Sequence, residues 1–184
     1  MKLEESVNFF SGPNSVELKK KYRNYQTYTN EDLEFDLFQG FHTTNTSIIK
    51  SPILEAGDIV TNTMTNRTAI VSPQSAGKVM PQYITKLGFK KNGDAWYLCY
   101  LLNESKAVKH QLYKTMEGTV LRRVTVVSLK QLEIKFPQLE EQQKLGELYR
   151  LLVIRERLQN QYKNKMKQAI IEIINREDIN GGSK

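Results

Sequence analysis

Cysteine is almost missing from this chain of 184 residues: Cys99 stands alone, so no disulfide can close within it. Nowhere do 18 apolar residues follow one another, which excludes an ordinary membrane-spanning helix. The opening residues Met1-Lys2-Leu3-Glu4-Glu5 hold acids and no apolar core, unlike a secretory leader. These absences predict a cytoplasmic protein, in which the sequons at Asn45, Asn66 and Asn103 arise by chance. Histidine occurs only at His42 and His110, with no cysteine cluster nearby, so a zinc site is not expected. Both common glycine-rich phosphate cradles are absent, the loop ending in Gly-Lys-Ser/Thr and the Gly-x-Gly-x-x-Gly turn. So is the Asn/Asp-Pro-Pro-aromatic signature of amino-methyltransferases. Glu133-Ile134-Lys135 matches half of a nuclease metal motif, but no Pro-Asp precedes it at a workable distance. No catalytic residue is assigned.

What is present is a folded composition, 39% hydrophobic and 26% charged, in a length that suits one modest domain and an appendage. The net charge of +7 is unevenly spread. Residues 1–49 carry 5 basic and 7 acidic side chains, residues 50–135 carry 13 and 6, and residues 136–184 carry 9 and 7. The middle segment thus holds the excess, which suits a polyanion such as DNA; a solvated basic surface would give the same count.

Along the chain, Val7–Phe10 reads as a strand before the turn Gly12-Pro13-Asn14, and Glu17–Arg23 as a basic helix. Tyr22, Tyr25, Tyr28, Phe35, Phe38 and Phe41 follow at irregular spacing, which predicts a loop-rich, partly extended region. Residues 53–87 alternate short apolar runs with turn signals: Ile59-Val60, Ala69-Ile70-Val71 and Tyr83–Leu87 are strand candidates. Asp94 is placed to cap a helix over Ala95–Leu102, and Ser105–Met116 follows as a second helix closed by Gly118. Val124–Val127 reads as a β-branched strand. Ser128 to Gln131 fits a capping box, and Glu133–Phe136 alternates as a strand ended by Pro137.

From Leu139 to Asn175 the sequence predicts one long amphipathic helix, roughly 55 Å at 1.5 Å per residue. Leu145, Leu148, Leu152, Arg155, Gln159, Tyr162, Met166, Ala169 and Ile173 recur at steps of three and four, a heptad seam built to pair with another helix. Arg155 and Gln159 are a polar step that would set register. The competing reading packs this helix back on its own domain. The expected architecture is α+β: a mixed α/β domain over residues 1–137, a coiled-coil helix over 138–178 and a disordered tail over 179–184.

Three stretches together resemble the DNA-specificity subunit of type I restriction–modification systems. They are Gly118–Ile134, the helix entry Pro137-Gln138-Leu139-Glu140-Glu141-Gln142-Gln143, and Leu54-Glu55-Ala56-Gly57-Asp58-Ile59-Val60 with Pro81-Gln82-Tyr83-Ile84 beyond it. The resemblance covers essentially the whole chain. It implies a non-catalytic target-recognition domain that reads half of a split double-stranded DNA site, with long helices that pair and set half-site spacing. It implies an S-adenosylmethionine-dependent adenine methyltransferase as partner, with an endonuclease–translocase subunit able to join, and no cofactor bound by this chain. A full subunit has two recognition domains and two helices. This chain has one of each, which predicts a homodimer through residues 139–175 and a palindromic target, or pairing with a different half-subunit.

Base readers must be donors and acceptors on loops that reach a groove. Thr65, Asn66 and Arg67 form the first candidate group, Thr119, Arg122 and Arg123 the second, and Lys78, Gln82 and Tyr83 the third. Lys19-Lys20-Lys21 and Arg23 are candidates for phosphate contact or a solvated face. A stand-alone DNA-binding regulator and a small nuclease using Glu133 remain as alternatives.

Overall fold

The structure, a computed structural model, describes residues 1–43, 50–116 and 124–181. A single turn of helix, α1 (Leu3–Ser6), leads into strand β1 (Val7–Ser11). Helix α2 (Ser15–Lys21) starts at Asn14, whose side chain accepts the Glu17 amide.

The next element corrects the sequence reading. The aromatic stretch is not loop-rich: it contains helix α3 (Asn30–Gln39). Its start is a reciprocal capping box. The Thr29 hydroxyl accepts the Asp32 amide and the Asp32 carboxylate accepts the Thr29 amide. Gly40, in the left-handed conformation at φ 65°, ends it. Its buried residues are only Leu33, Asp36 and Leu37, while Phe35 is 44% exposed, so the helical period is faint in the sequence.

Strands β2 (Ile59–Asn62) and β3 (Arg67–Ile70) form a hairpin through Thr63–Asn66, in which Asn66 takes a positive φ of 57°. With β4 (Ile84–Phe89) they build an antiparallel sheet of order β1-β4-β2-β3. Every residue of β4 is buried, so the sheet is covered on both faces. Lys86 lies within it at 1% exposure. Its Nζ sits 2.6 Å from the Asp58 carboxylate and donates to the Ile53 carbonyl at 2.9 Å, which compensates the buried charge.

Helix α4 (Ala95–Asn103) begins where Asp94 accepts the Tyr97 amide at 2.7 Å, as the sequence predicts. Helix α5 (Lys106–Met116) buries Val108 and Leu112. Helix α6 (Val126–Lys130) is the second correction, because Val124–Val127 is not a strand. Thr125 is the N-cap and Ser128 the third helical residue, so the capping box sits three residues earlier than expected and overrides the β-branched run. Glu133–Phe136 joins no sheet either. Glu133 forms an isolated bridge with Lys2, and its backbone exchanges hydrogen bonds of 2.8 and 2.9 Å with the Gln111 side chain. Gly118 lies outside the described residues.

Helix α7 (Leu139–Gly181) closes the chain order and runs past the expected end. Helix α4 lies between the β3 side of the sheet and α7, and α3 also touches both. One buried amide joins these layers. Asn103 accepts the Thr68 amide and donates to the Thr68 carbonyl, both at 2.8 Å, and donates to the Tyr149 hydroxyl at 3.1 Å. The outward backbone groups of Thr68 in edge strand β3 are thus satisfied by a side chain, which blocks pairing with another strand at that residue.

Candidate nucleic-acid interface and pairing helix

One end of the sheet gathers most of the described candidates for DNA contact. The β2–β3 loop lies beside the start of β4, since the Thr63 amide and hydroxyl both bind the Tyr83 carbonyl at 3.0 and 3.2 Å. Thr65 and Gln82 are exposed there, and Asn66 and Tyr83 half-buried. Helix α2 leaves the sheet at the same end, because the Gly12 amide following β1 binds the Ile84 carbonyl. A cleft of about 410 Å³ opens beside the loop, lined by Asn66, Arg67, Asn103, Glu104 and Tyr113. The second group, Thr119, Arg122 and Arg123, lies outside the described residues.

The cations at this end divide into two kinds. Arg67 lies against two acids: its Nε and Nη2 donate to the two carboxylate oxygens of Glu34 at 3.1 and 3.4 Å, and Nη1 is 3.7 Å from Glu104. Burial opposes the charge on Arg67, yet these carboxylates hold its pKa above the ordinary arginine value. Lys78 is bound to Asp32 at 2.7 Å. Burial alone would raise the Asp32 pKa, but Lys78 and the Thr29 amide bring it below the usual carboxylate range. By contrast, Lys19, Lys20 and Arg23 are exposed and make no ion pair among the described residues. They flank Tyr22 and Tyr25, whose rings meet edge to face with centroids 6.0 Å apart. This end therefore offers hydroxyl and amide groups suited to base edges and a separate cationic helix suited to phosphates.

Sequence reasoning missed the residues that hold the loop. Asn30 and Glu34 of α3 reach Asn62 and Arg67, the pair that closes the hairpin. Thr29-x-x-Asp32 was the available signal, because a helix starting there puts positions 30 and 34 on one face.

Helix α7 presents two faces. Gln142, Gly146, Tyr149 and Val153 are buried against the domain. The Gln142 side chain accepts the Asp94 amide, Tyr149 packs near Trp96 and Tyr100, and Arg150 donates to the Gly40 carbonyl. Gly146 is required by this packing, since a Cβ there would overlap the Asp94 carboxylate and the Tyr97 amide. The expected seam lies elsewhere. Leu145, Leu148, Leu152, Arg155, Gln159, Tyr162, Met166, Ala169 and Ile173 are all exposed. At 100° per residue the seam is turned roughly 120° from the buried face. The helix thus folds back on its own domain and still leaves an apolar stripe uncovered.

No curated protein matches this chain. Solved structures do. The S subunit of a type I restriction–modification system from M. genitalium superimposes with a TM-score of 0.52 at 16% identity, covering 87% of this chain and 39% of that one. The HsdS subunit from Thermoanaerobacter tengcongensis gives 0.53 at 14% identity, with coverage of 94% and 43%. A structure solved to explain assembly and conformational transition of a type I system gives 0.53 at 16% identity, with coverage of 94% and 44%. At such identities the likeness shows the fold, and this chain spans roughly two fifths of the length of these structures. The sequence model of the type I restriction modification DNA specificity domain matches residues 3–175. The chain therefore belongs to the type I restriction–modification DNA specificity domain family, whose members are DNA-recognition, non-catalytic components of those systems.

Proposed function

We propose that this chain reads DNA for a type I restriction–modification complex as one half of a helix-paired assembly. The loop residues Thr65 and Asn66, with Gln82 and Tyr83, take base edges, and Lys19, Lys20 and Arg23 take phosphates. Arg67 and Lys78 keep their carboxylate partners. Thr119, Arg122 and Arg123 extend the interface from the family's junction segment. Helix α7 pairs with α7 of a second copy through Leu145–Ile173, and the paired helices receive an adenine methyltransferase. The methyltransferase brings S-adenosylmethionine, an endonuclease–translocase subunit can join, and this chain needs no cofactor of its own.

The observation that supports pairing is the uncovered seam. Every described side chain from Leu158 to Glu177 is exposed, yet Tyr162, Met166 and Ile173 continue the apolar spacing across it. An apolar stripe at heptad spacing is stabilised by burial against a second helix. Two copies related by a twofold axis would read identical half-sites.

Light scattering at micromolar concentration is expected to give twice the chain mass, reduced to one chain by Leu152→Asp with Ile173→Asp. A single-chain mass for the unaltered protein would overturn pairing. Reconstitution with the cognate methyltransferase, followed by mapping of methylated adenines, is expected to show a split palindrome. An asymmetric site would point to pairing with a different half-subunit.

A further inference from the structure

The β2–β3 loop is carried by a grip whose two fingers come from one face of α3. Asn62 ends β2, Arg67 starts β3, and the two are register partners across the hairpin. Asn30 and Glu34 are one helical turn apart in α3. The Asn62 amide donates to the Asn30 side-chain oxygen at 3.3 Å, and Glu34 takes both Nε and Nη2 of Arg67. The grip continues into the loop. The buried Asn62 side-chain oxygen accepts the Met64 and Thr65 amides at 2.8 and 3.3 Å, and the Asn62 carbonyl accepts the Asn66 amide at 2.8 Å. On the far side Glu104, which follows α4, faces Arg67 and is bound by Lys109 of α5 at 3.0 Å. Charges therefore alternate from Glu34 through Arg67 and Glu104 to Lys109, and they sum to zero.

We propose that Asn30 and Glu34 are positioning residues for sequence reading: by gripping the Asn62–Arg67 closing pair they fix the direction in which Thr63–Asn66 meets the groove. This rests on the DNA-reading function proposed above. A neutral chain of charges adds little attraction for phosphate, whereas a loop held at both of its strand ends presents donors and acceptors with little freedom left to lose on binding. Glu34 acts through Arg67, Asn30 acts through Asn62, and neither touches DNA. Arg67 belongs to the same device, because its planar fork matches the Glu34 carboxylate as a lysine cannot.

The test uses the full chain and a duplex pool with a randomised segment, in which bound sequences are selected and read, beside one fixed unrelated duplex. Asn30→Ala, Glu34→Ala and Arg67→Lys are each expected to lower the affinity ratio of selected to unrelated duplex by about tenfold, the scale of one lost base contact. Affinity for the unrelated duplex and the slope of log affinity against log salt are expected to stay unchanged, because no phosphate contact is removed. Lost folding alone would weaken binding to both duplexes together. A Glu34→Ala protein with an intact ratio, or with stronger binding to every duplex, would overturn the proposal and make Glu34 a mere repulsive charge. If the unaltered chain enriches no sequence, the DNA-reading function falls, and amide exchange still tests the grip. Exchange at Met64, Thr65 and Asn66 is expected to quicken about tenfold in Glu34→Ala and Asn30→Ala. Unchanged exchange overturns the grip as well.

Discussion

From Leu139 to Arg157, α7 lies along the domain; from Leu158 to Glu177 every described side chain is exposed. The seam Leu145–Ile173 runs through both halves at constant spacing, so it cannot be what docks the first half. The stripe that docks it is Gln142, Gly146, Tyr149 and Val153. Continued at the same steps, that stripe becomes Glu156, Asn160, Lys163 and Lys167. Its packing character ends within one turn of where the helix leaves the domain. Two stripes on one helix thus serve two purposes. The short one sets where the helix sits on its own domain, and the long one is left for a partner.

The sharpest way to break this distinction is to make one change in each half. Tyr149 is 6% exposed and Tyr162 is 67% exposed. Tyr149→Ala removes an aromatic ring from between Trp96 and Tyr100 and takes the hydroxyl from Asn103, so it is expected to cost about 3–5 kcal/mol. Tyr162→Ala is expected to change single-chain stability by no more than about 0.5 kcal/mol. Urea unfolding at a concentration too low for pairing measures both. Equal losses would show that the outer half also packs on the domain.

Glycine gives a smaller contrast. Gly146→Ala gains about 1 kcal/mol of helix propensity but forces apart the Asp94 cap and α7, at a cost of about 1–3 kcal/mol. The expected result is a net loss of about 1 kcal/mol, read from the unfolding midpoint. Asn164→Ala, in the exposed half, carries no such clash and is expected to stabilise by a few tenths, about 0.5 kcal/mol at most. A stabilising Gly146→Ala would mean that the helix can shift outward without loss. Comparable to the Gly146→Ala loss is Tyr149→Phe, which keeps the ring and deletes one buried hydrogen-bond partner, for about 1 kcal/mol by the same measurement.

The same contrast explains what could be read in advance. The seam was legible because nine positions repeat without a break, and the strands of the hairpin because apolar runs flank a polar loop. The Asp94 cap was legible because its helix is apolar nearly all round. Helix α3 was not, since its core contribution is two leucines and a buried Asp36 that accepts hydrogen bonds from Tyr28 and Ser75. Helix α6 was hidden by β-branched residues whose local preference lost to a four-residue capping box. Arg67 was legible as a cation beside a loop. That it faces Glu34 and Glu104 is a fact of tertiary placement, since those residues lie more than 30 positions away on either side.

The smallest expected effect concerns Asp94, under the docked half of α7. Burial pushes its carboxyl above the ordinary value of 3.8, against the Tyr97 and Trp96 amides and the His42 charge, and with Glu147 adding repulsion. The native state therefore holds the Asp94 proton at pH values where the unfolded chain has lost it. In that window the native form binds more protons, so stability falls as pH rises from 3.8 through the raised value, and is level above it. Glu147 acts in the opposite sense. Its hydrogen bond to Arg150 lowers its pKa below 4.5, so its contribution is lost as pH falls through the lowered value. Asp94→Asn separates the two, because asparagine caps a helix as well as aspartate and does not titrate. Unfolding midpoints across pH 3.8 and upward are expected to rise in Asp94→Asn relative to the unaltered chain and then hold a constant offset, while the loss in acid due to Glu147 remains. Parallel curves at every pH would mean that the docking of α7 leaves the Asp94 pKa where the unfolded chain has it, so that its burial is fully offset by the Tyr97 and Trp96 amides.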